Sequence, residues 1–145
     1  MIRIRELDHV VLRVRDLDLV RDFYCNLLGC TEFQRTPPEV GLLQLRAGRS
    51  VIDLVSIDGA IGRQGGGVPD PQGRNMDHFC LLVEGFDPAA LTAEFAGHGI
   101  KADFYPGRPG RSATDASLYV RDPEGNTIEL RTPISPGADP ATTSG

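Results

Sequence analysis

The chain has 145 residues, enough for one compact domain with a sizeable core, and a globular composition of 40% hydrophobic and 24% charged residues. A formal charge of -5 and an isoelectric point near 5.1 argue against a nucleic-acid or anionic-membrane surface, which needs clustered Lys and Arg. Lys101 is the single lysine and the other fourteen basic residues are arginines, so local arginine patches for small anions remain open.

The first residues, Met1-Ile2-Arg3-Ile4-Arg5, run into a strand pattern and lack the apolar core of a signal peptide. No stretch approaches the roughly 18 apolar residues of a membrane span. Cys25, Cys30 and Cys80 make neither an even set nor a CxxC pair. They read as small core hydrophobes in a cytoplasmic protein.

Asp8-His9 opens the first strand, in which Val10, Leu12 and Val14 share one face and His9, Val11 and Arg13 the other. Asp18 then precedes a helix over 19–28, stopped by Gly29. Ser50-Val51-Ile52-Asp53-Leu54 is a strand that sets Asp53 opposite Ile52 and Leu54. Residues 56–75 follow, where Gly65-Gly66-Gly67 and Pro69-Asp70-Pro71 prevent regular structure. Without a following helix and Lys-Ser/Thr, those glycines are no phosphate loop; they read as a flexible connector over the site.

The pattern then restarts. His78 follows His9 by 69 residues, and at that offset Asp77, Leu81, Val83 and Asp87 fall on Asp8, Leu12, Val14 and Asp18. Phe79, Leu81 and Val83 oppose His78, Cys80 and Leu82. Asp87, with Pro88 behind it and Gly97 and Gly99 near the end, brackets a second helix. Asn126-Thr127-Ile128-Glu129-Leu130 repeats the Ile-acid-Leu core at an offset of 76, so the second copy carries about seven extra residues, placed within 105–115. Residues from Pro133 onward are rich in Pro, Ala, Thr, Ser and Gly and read as disordered.

Each half is thus a strand, a helix and a run of strands, with module 1 at about 5–57, a connector at about 58–74 and module 2 at about 75–132. Together they make a single domain over 1–135, followed by a tail at 136–145. The apolar faces receive the helices; the other faces, with one polar residue per strand, line a concavity. Taken singly, an Asp-His can be a solvated turn and a strand acid can face water. One His and one acid at repeat-related places in each half point instead to shared metal ligands, because a charge on an apolar strand is costly unless neutralised. Imidazole and carboxylate donors without thiolates suit a catalytic Zn, Ni, Co, Mn or Fe ion.

From about Leu7 to Leu130 the chain resembles the vicinal oxygen chelate superfamily of glyoxalases, fosfomycin-resistance proteins and extradiol dioxygenases. The resemblance rests on Asp8-His9 through Arg21-Asp22-Phe23-Tyr24, on Asp77-His78, and most of all on Asp122-Pro123-Glu124-Gly125-Asn126-Thr127-Ile128-Glu129-Leu130. It implies an α+β fold of two tandem βαβββ modules forming an open, incomplete β-barrel around a cavity. It also implies a homodimer, one divalent cation held by His9, His78 and Glu129, and a small-molecule substrate with vicinal oxygens.

In the glyoxalase reading Asp53 is a fourth ligand, Glu129 the proton-transferring base and Arg13 a substrate contact. Asp53 stands where those enzymes carry Glu, and Ile57 where an Asn helps hold glutathione. In an extradiol reading Tyr119 lines the cavity, but the His expected several residues before it is absent. In a thiol-transferase reading Arg108 and Arg111 meet the substrate. A metal-free sequestering protein of the bleomycin-resistance type is the remaining alternative.

Overall fold

The computed structural model describes residues 2–107 and 116–133. These fall into two compact units: one runs to Asn75 and takes in the turn Asp122–Gly125, and the other holds Met76–Arg121 and the residues from Asn126 on.

In the first unit β1 (His9–Val14) is followed by α1 (Leu17–Asp22), which runs into a π-helical turn at Phe23–Leu27. Strands β2 (Thr31–Arg35), β3 (Leu42–Ala47) and β4 (Ser50–Ser56) complete a sheet of order β1-β4-β3-β2. The second unit repeats this with β5 (His78–Leu82), α2 (Pro88–Gly97), β6 (Asp103–Tyr105), β7 (Ser117–Arg121) and β8 (Thr127–Arg131), in the order β5-β8-β7-β6. In both, the first strand pairs parallel with the last and the other pairings are antiparallel. The parallel pair needs a long crossover, which the helix and two strands supply. The chain is therefore α+β, with two βαβββ modules, and neither sheet closes on itself.

Strand alternation decides what is buried. Leu12 and Val14 of β1, Leu43 and Leu45 of β3, and Ile52 and Leu54 of β4 are buried with Val20, Phe23 and Tyr24 of the helical segment. In the second unit Leu118, Val120, Ile128 and Leu130 are buried with Phe95 of α2. Each such aliphatic side chain contributes about 1.5–3 kcal/mol when taken from water. The alternate positions are left to carry polar groups on the opposite face.

Three local features differ from the expectations above. The first helix begins at Leu17, because the Asp16 carboxylate rather than that of Asp18 accepts from the Asp18 and Leu19 N–H groups. Asp87 caps α2 in the same way, nine residues after His78 where Asp16 stands seven after His9, so the helix cap lies two residues further from the histidine in the second module. Gly85, at φ 62°, turns the chain within that longer link.

Second, the connector holds one turn of 3-10 helix at Gly62–Gly65. Gly59, Ala60 and Ile61 donate backbone hydrogen bonds to Ser56, Glu39 and Val40, which ties this stretch to the first unit. Gly62 permits the approach, since a Cβ there would lie 1.9 Å from the Ser56 carbonyl oxygen. Third, β6 is three residues long against five in β2. Most of the expected insertion at 105–115 and the tail at 136–145 lie outside the described residues.

Candidate functional site

In the second unit β8 turns Ile128 and Leu130 into the core, which directs Glu129 to the other face. The residue is only 9% exposed, so its carboxylate needs partners. Ser117, buried at the start of β7, donates its hydroxyl to Glu129 Oε1 at 2.5 Å. His78 Nε2 stands 3.1 Å from Glu129 Oε2. The other ring nitrogen, Nδ1, is hydrogen-bonded to Asp77 Oδ2 at 2.6 Å.

The His78 ring meets Tyr119 edge-on, with centroids 5.8 Å apart. Its pKa is raised, first by the hydrogen bond to the Asp77 carboxylate and then, against partial burial, by the charge of Glu129. Cys80 is the register partner of Glu129 on β5. Desolvation, helped by the nearby acid, pushes its thiol up to about 11, so at neutral pH it is a neutral neighbour rather than a thiolate. Burial and Glu129 raise the Tyr119 phenol as well.

The first unit repeats the plan with one difference. Asp53 is 7% exposed, and Gln44, directly opposite it on β3, donates Nε2 to Oδ1 at 2.9 Å. His9 Nδ1 is hydrogen-bonded to Asp8 Oδ2 at 2.8 Å; that bond is the main cause of a raised pKa, to which the charge of Asp53 adds. The registers match: Asp53 pairs with Val11, two residues after His9, as Glu129 pairs with Cys80, two residues after His78. Yet among the described residues no ion-pair contact within 4.0 Å joins His9 to Asp53. Equal registers leave side-chain length as the difference, and Asp is one methylene shorter.

Arg13 shares the His9 face, and its guanidinium is committed to the connector. It donates to the carbonyls of Gly62, Gly65, Gly66 and Gly67 at 2.8–3.0 Å, which engages four of its five N–H groups. Gly65 must lack a side chain here, because a Cβ would fall 2.4 Å from Arg13 Nε.

Tyr119 also lines a groove of 720 Å³ in the second unit, bordered by Ile100, Arg121, Thr127 and the Lys101–Asp103 ion pair. Arg108 and Arg111 lie outside the described residues. His98 ends α2 as its C-cap. Two donors, His78 and Glu129, are therefore brought together in the second unit. Among the described residues no group of three or more His, Cys, Asp and Glu side chains gathers to hold a metal ion.

Sequence reasoning passed over Ser117 and Gln44, whose roles depend on cross-strand register. It also passed over a buried tie in the first unit: Tyr24 donates its hydroxyl to Asp122 Oδ2 at 2.9 Å. The same turn is held by Arg15, whose backbone N–H and guanidinium both donate to Glu124, and by Arg74, which donates to the Glu124 carbonyl. Gly125, at φ 79°, closes the turn with a bond to the Asp122 carbonyl. The Asp-Pro-Glu-Gly run is thus an anchored turn from which β8 departs.

The family model for the Glyoxalase/Bleomycin resistance protein/Dioxygenase superfamily matches residues 6–130. A glyoxalase domain-containing protein of Mycosarcoma maydis, RDO1, is 28% identical over 134 residues, spanning 88% of this chain and 68% of that protein. Among solved structures, the glyoxalase I of Leishmania major, described as trypanothione-dependent, aligns at 26% identity over 88% of this chain and 86% of its own, with a TM-score of 0.62. A lactoylglutathione lyase of Agrobacterium tumefaciens shares the fold at 21% identity, covering 90% and 95% of the two chains with a TM-score of 0.67. This chain belongs to the Glyoxalase/Bleomycin resistance protein/Dioxygenase superfamily.

Proposed function

We propose that this chain is a metal-dependent enzyme of the glyoxalase type. Its substrate is a small molecule with adjacent oxygens, and its reaction moves a proton between neighbouring carbons. The observation that carries the reading is the His78–Glu129 pair, a nearly buried acid meeting an imidazole at 3.1 Å. Two imidazoles and a carboxylate fit zinc, nickel, cobalt, manganese or iron, and the holding residues would be His9, His78 and Glu129. Asp53 has one carboxylate oxygen engaged by Gln44 and is left out of that proposed set.

When bound, the cation supplies Lewis acidity that lowers the cost of negative charge on the substrate oxygens. The protein's own groups do the rest. Asp8 and Asp77 each occupy a ring Nδ1, which fixes Nε2 as the donor nitrogen of each histidine. Glu129, held at Oε1 by the Ser117 hydroxyl, is the carboxylate that takes and returns the proton. Tyr119, edge-on to the His78 ring, would meet the substrate beside the acid, and Arg13 holds the connector from the strand face it shares with His9. In this reading the protein works as a cytoplasmic homodimer on a diffusible substrate.

The test is metal reconstitution followed by turnover on a panel of hemithioacetals and ortho-diols. Activity that returns with one of the five metals supports the reading. Glu129→Gln should then lower kcat by about 100- to 10,000-fold with the fold retained. Full activity in that variant contradicts the role given to Glu129.

A further inference from the structure

We infer that Ser117 is a positioning residue that makes Glu129 a one-oxygen ligand. The inference rests on the metal reading above and concerns which oxygen of the acid is free to bind. Ser117 is 2% exposed, and its hydroxyl donates to Glu129 Oε1. A carboxylate offers two oxygens, and either can coordinate alone or both together. With Oε1 engaged at 2.5 Å by a buried hydroxyl, the oxygen that meets His78 Nε2 is Oε2.

The placement follows from the sheet. Ser117 pairs with Arg131 and Tyr119 with Glu129, so Ser117 is the diagonal neighbour of the acid on the same face. A short hydroxyl at the diagonal reaches one oxygen and no further.

The first module does the same with different chemistry. Gln44, directly opposite Asp53, occupies Oδ1 at 2.9 Å. Filling one oxygen of the acid from the neighbouring strand therefore recurs at both repeats, with a serine at the longer acid and a glutamine at the shorter. A residue that merely satisfied a buried carboxylate would not need to choose an oxygen. Ser117 takes Oε1, while His78 Nε2 meets Oε2.

If a cation is bound, one-oxygen binding by Glu129 would leave it a position for substrate that two-oxygen binding would fill. Ser117→Ala removes the hydroxyl, and Ser117→Thr keeps it; circular dichroism and thermal melts verify that both fold.

Two readouts decide the matter. In metal-free crystals, wild type and Ser117→Thr should show one Glu129 conformer aimed at His78, and Ser117→Ala a rotated or divided one. In titrations with cobalt(II) chloride, Ser117→Ala should bind about 10- to 100-fold more weakly. Its visible absorption should also weaken, as expected for added coordination, and Ser117→Thr should match wild type in both respects. An unchanged Glu129 conformer in metal-free Ser117→Ala overturns the inference, as do wild-type cobalt affinity and spectrum in that variant. If wild type itself takes up no cobalt, the metal reading fails, and the metal-free crystals still decide whether Ser117 positions Glu129.

Discussion

His78 Nε2 and Glu129 Oε2 lie 3.1 Å apart across the parallel pair β5–β8, while the corresponding His9 and Asp53 on β1–β4 make no such contact among the described residues. Both acids follow the same register from their histidine. The asymmetry is therefore one of side-chain length and of the strand donors that hold each acid. Asp53→Glu, which adds the missing methylene, should bring the acid toward His9 and raise metal affinity. Isothermal titration with nickel or zinc measures this, and an unchanged or weaker affinity would show that Asp53 is not limited by reach.

The His78 pair also sets a pH dependence. Its pKa lies above the ordinary 6.5 because Asp77 and Glu129 favour the protonated ring. A raised folded value means that the pairing stabilises the metal-free protein fully below about pH 6.5. That stabilisation is lost as pH rises through the higher folded value. Metal requires the neutral ring, so affinity should climb over the same interval. With the ring 36% exposed, solvent screening keeps the stability part small. Melting curves of metal-free wild type and His78→Gln across pH 5.5–9 test it. The difference between them should shrink as pH rises, and a difference that grows contradicts the sign.

The Tyr24–Asp122 bond anchors the turn before β8. Tyr24→Phe keeps the ring packing and leaves a buried carboxylate short of one donor, at a cost of about 1–3 kcal/mol. Burial raises the phenol well above 10, so wild-type stability should also fall as pH passes upward through about 10, where the unfolded tyrosine ionises. Chemical denaturation checks the first point, and the same titration at alkaline pH checks the second. A Tyr24→Phe variant as stable as wild type would show that the turn is held by its arginine contacts alone.

The connector offers a matched pair of glycines. Gly62→Ala drives a methyl against the Ser56 carbonyl and should cost about 1–3 kcal/mol. Gly67 has open space around it and no positive φ, so Gly67→Ala should be neutral within about 0.5 kcal/mol. Equal melting temperatures for the two variants would mean that the 3-10 turn is not held where it is described.

Much of this was open to reading in the sequence because strand alternation and an internal repeat are one-dimensional signals. Val10, Leu12 and Val14 against His9, and Ile128 and Leu130 against Glu129, assign faces without any knowledge of pairing. The order of elements in both modules follows from the same pattern. The first helix cap did not, since Asp16 and Asp18 both precede helix formers and only the end of β1 selects between them. Ser117 and Gln44 were hidden because their partners are set by register between strands, and Tyr24 meets Asp122 across 98 residues of chain. Arg13 read as a substrate contact by resemblance, and its four carbonyl partners come from a glycine-rich stretch some fifty residues on.

The most direct measurement is elemental analysis of protein purified without chelator and of the same protein after reconstitution, in wild type, His78→Ala and Glu129→Ala. Wild type should carry about one divalent ion per site, and both variants should lose it while keeping their circular-dichroism spectrum. No stoichiometric metal in wild type after either treatment, or as much metal in the variants as in wild type, would contradict a centre built on His78 and Glu129.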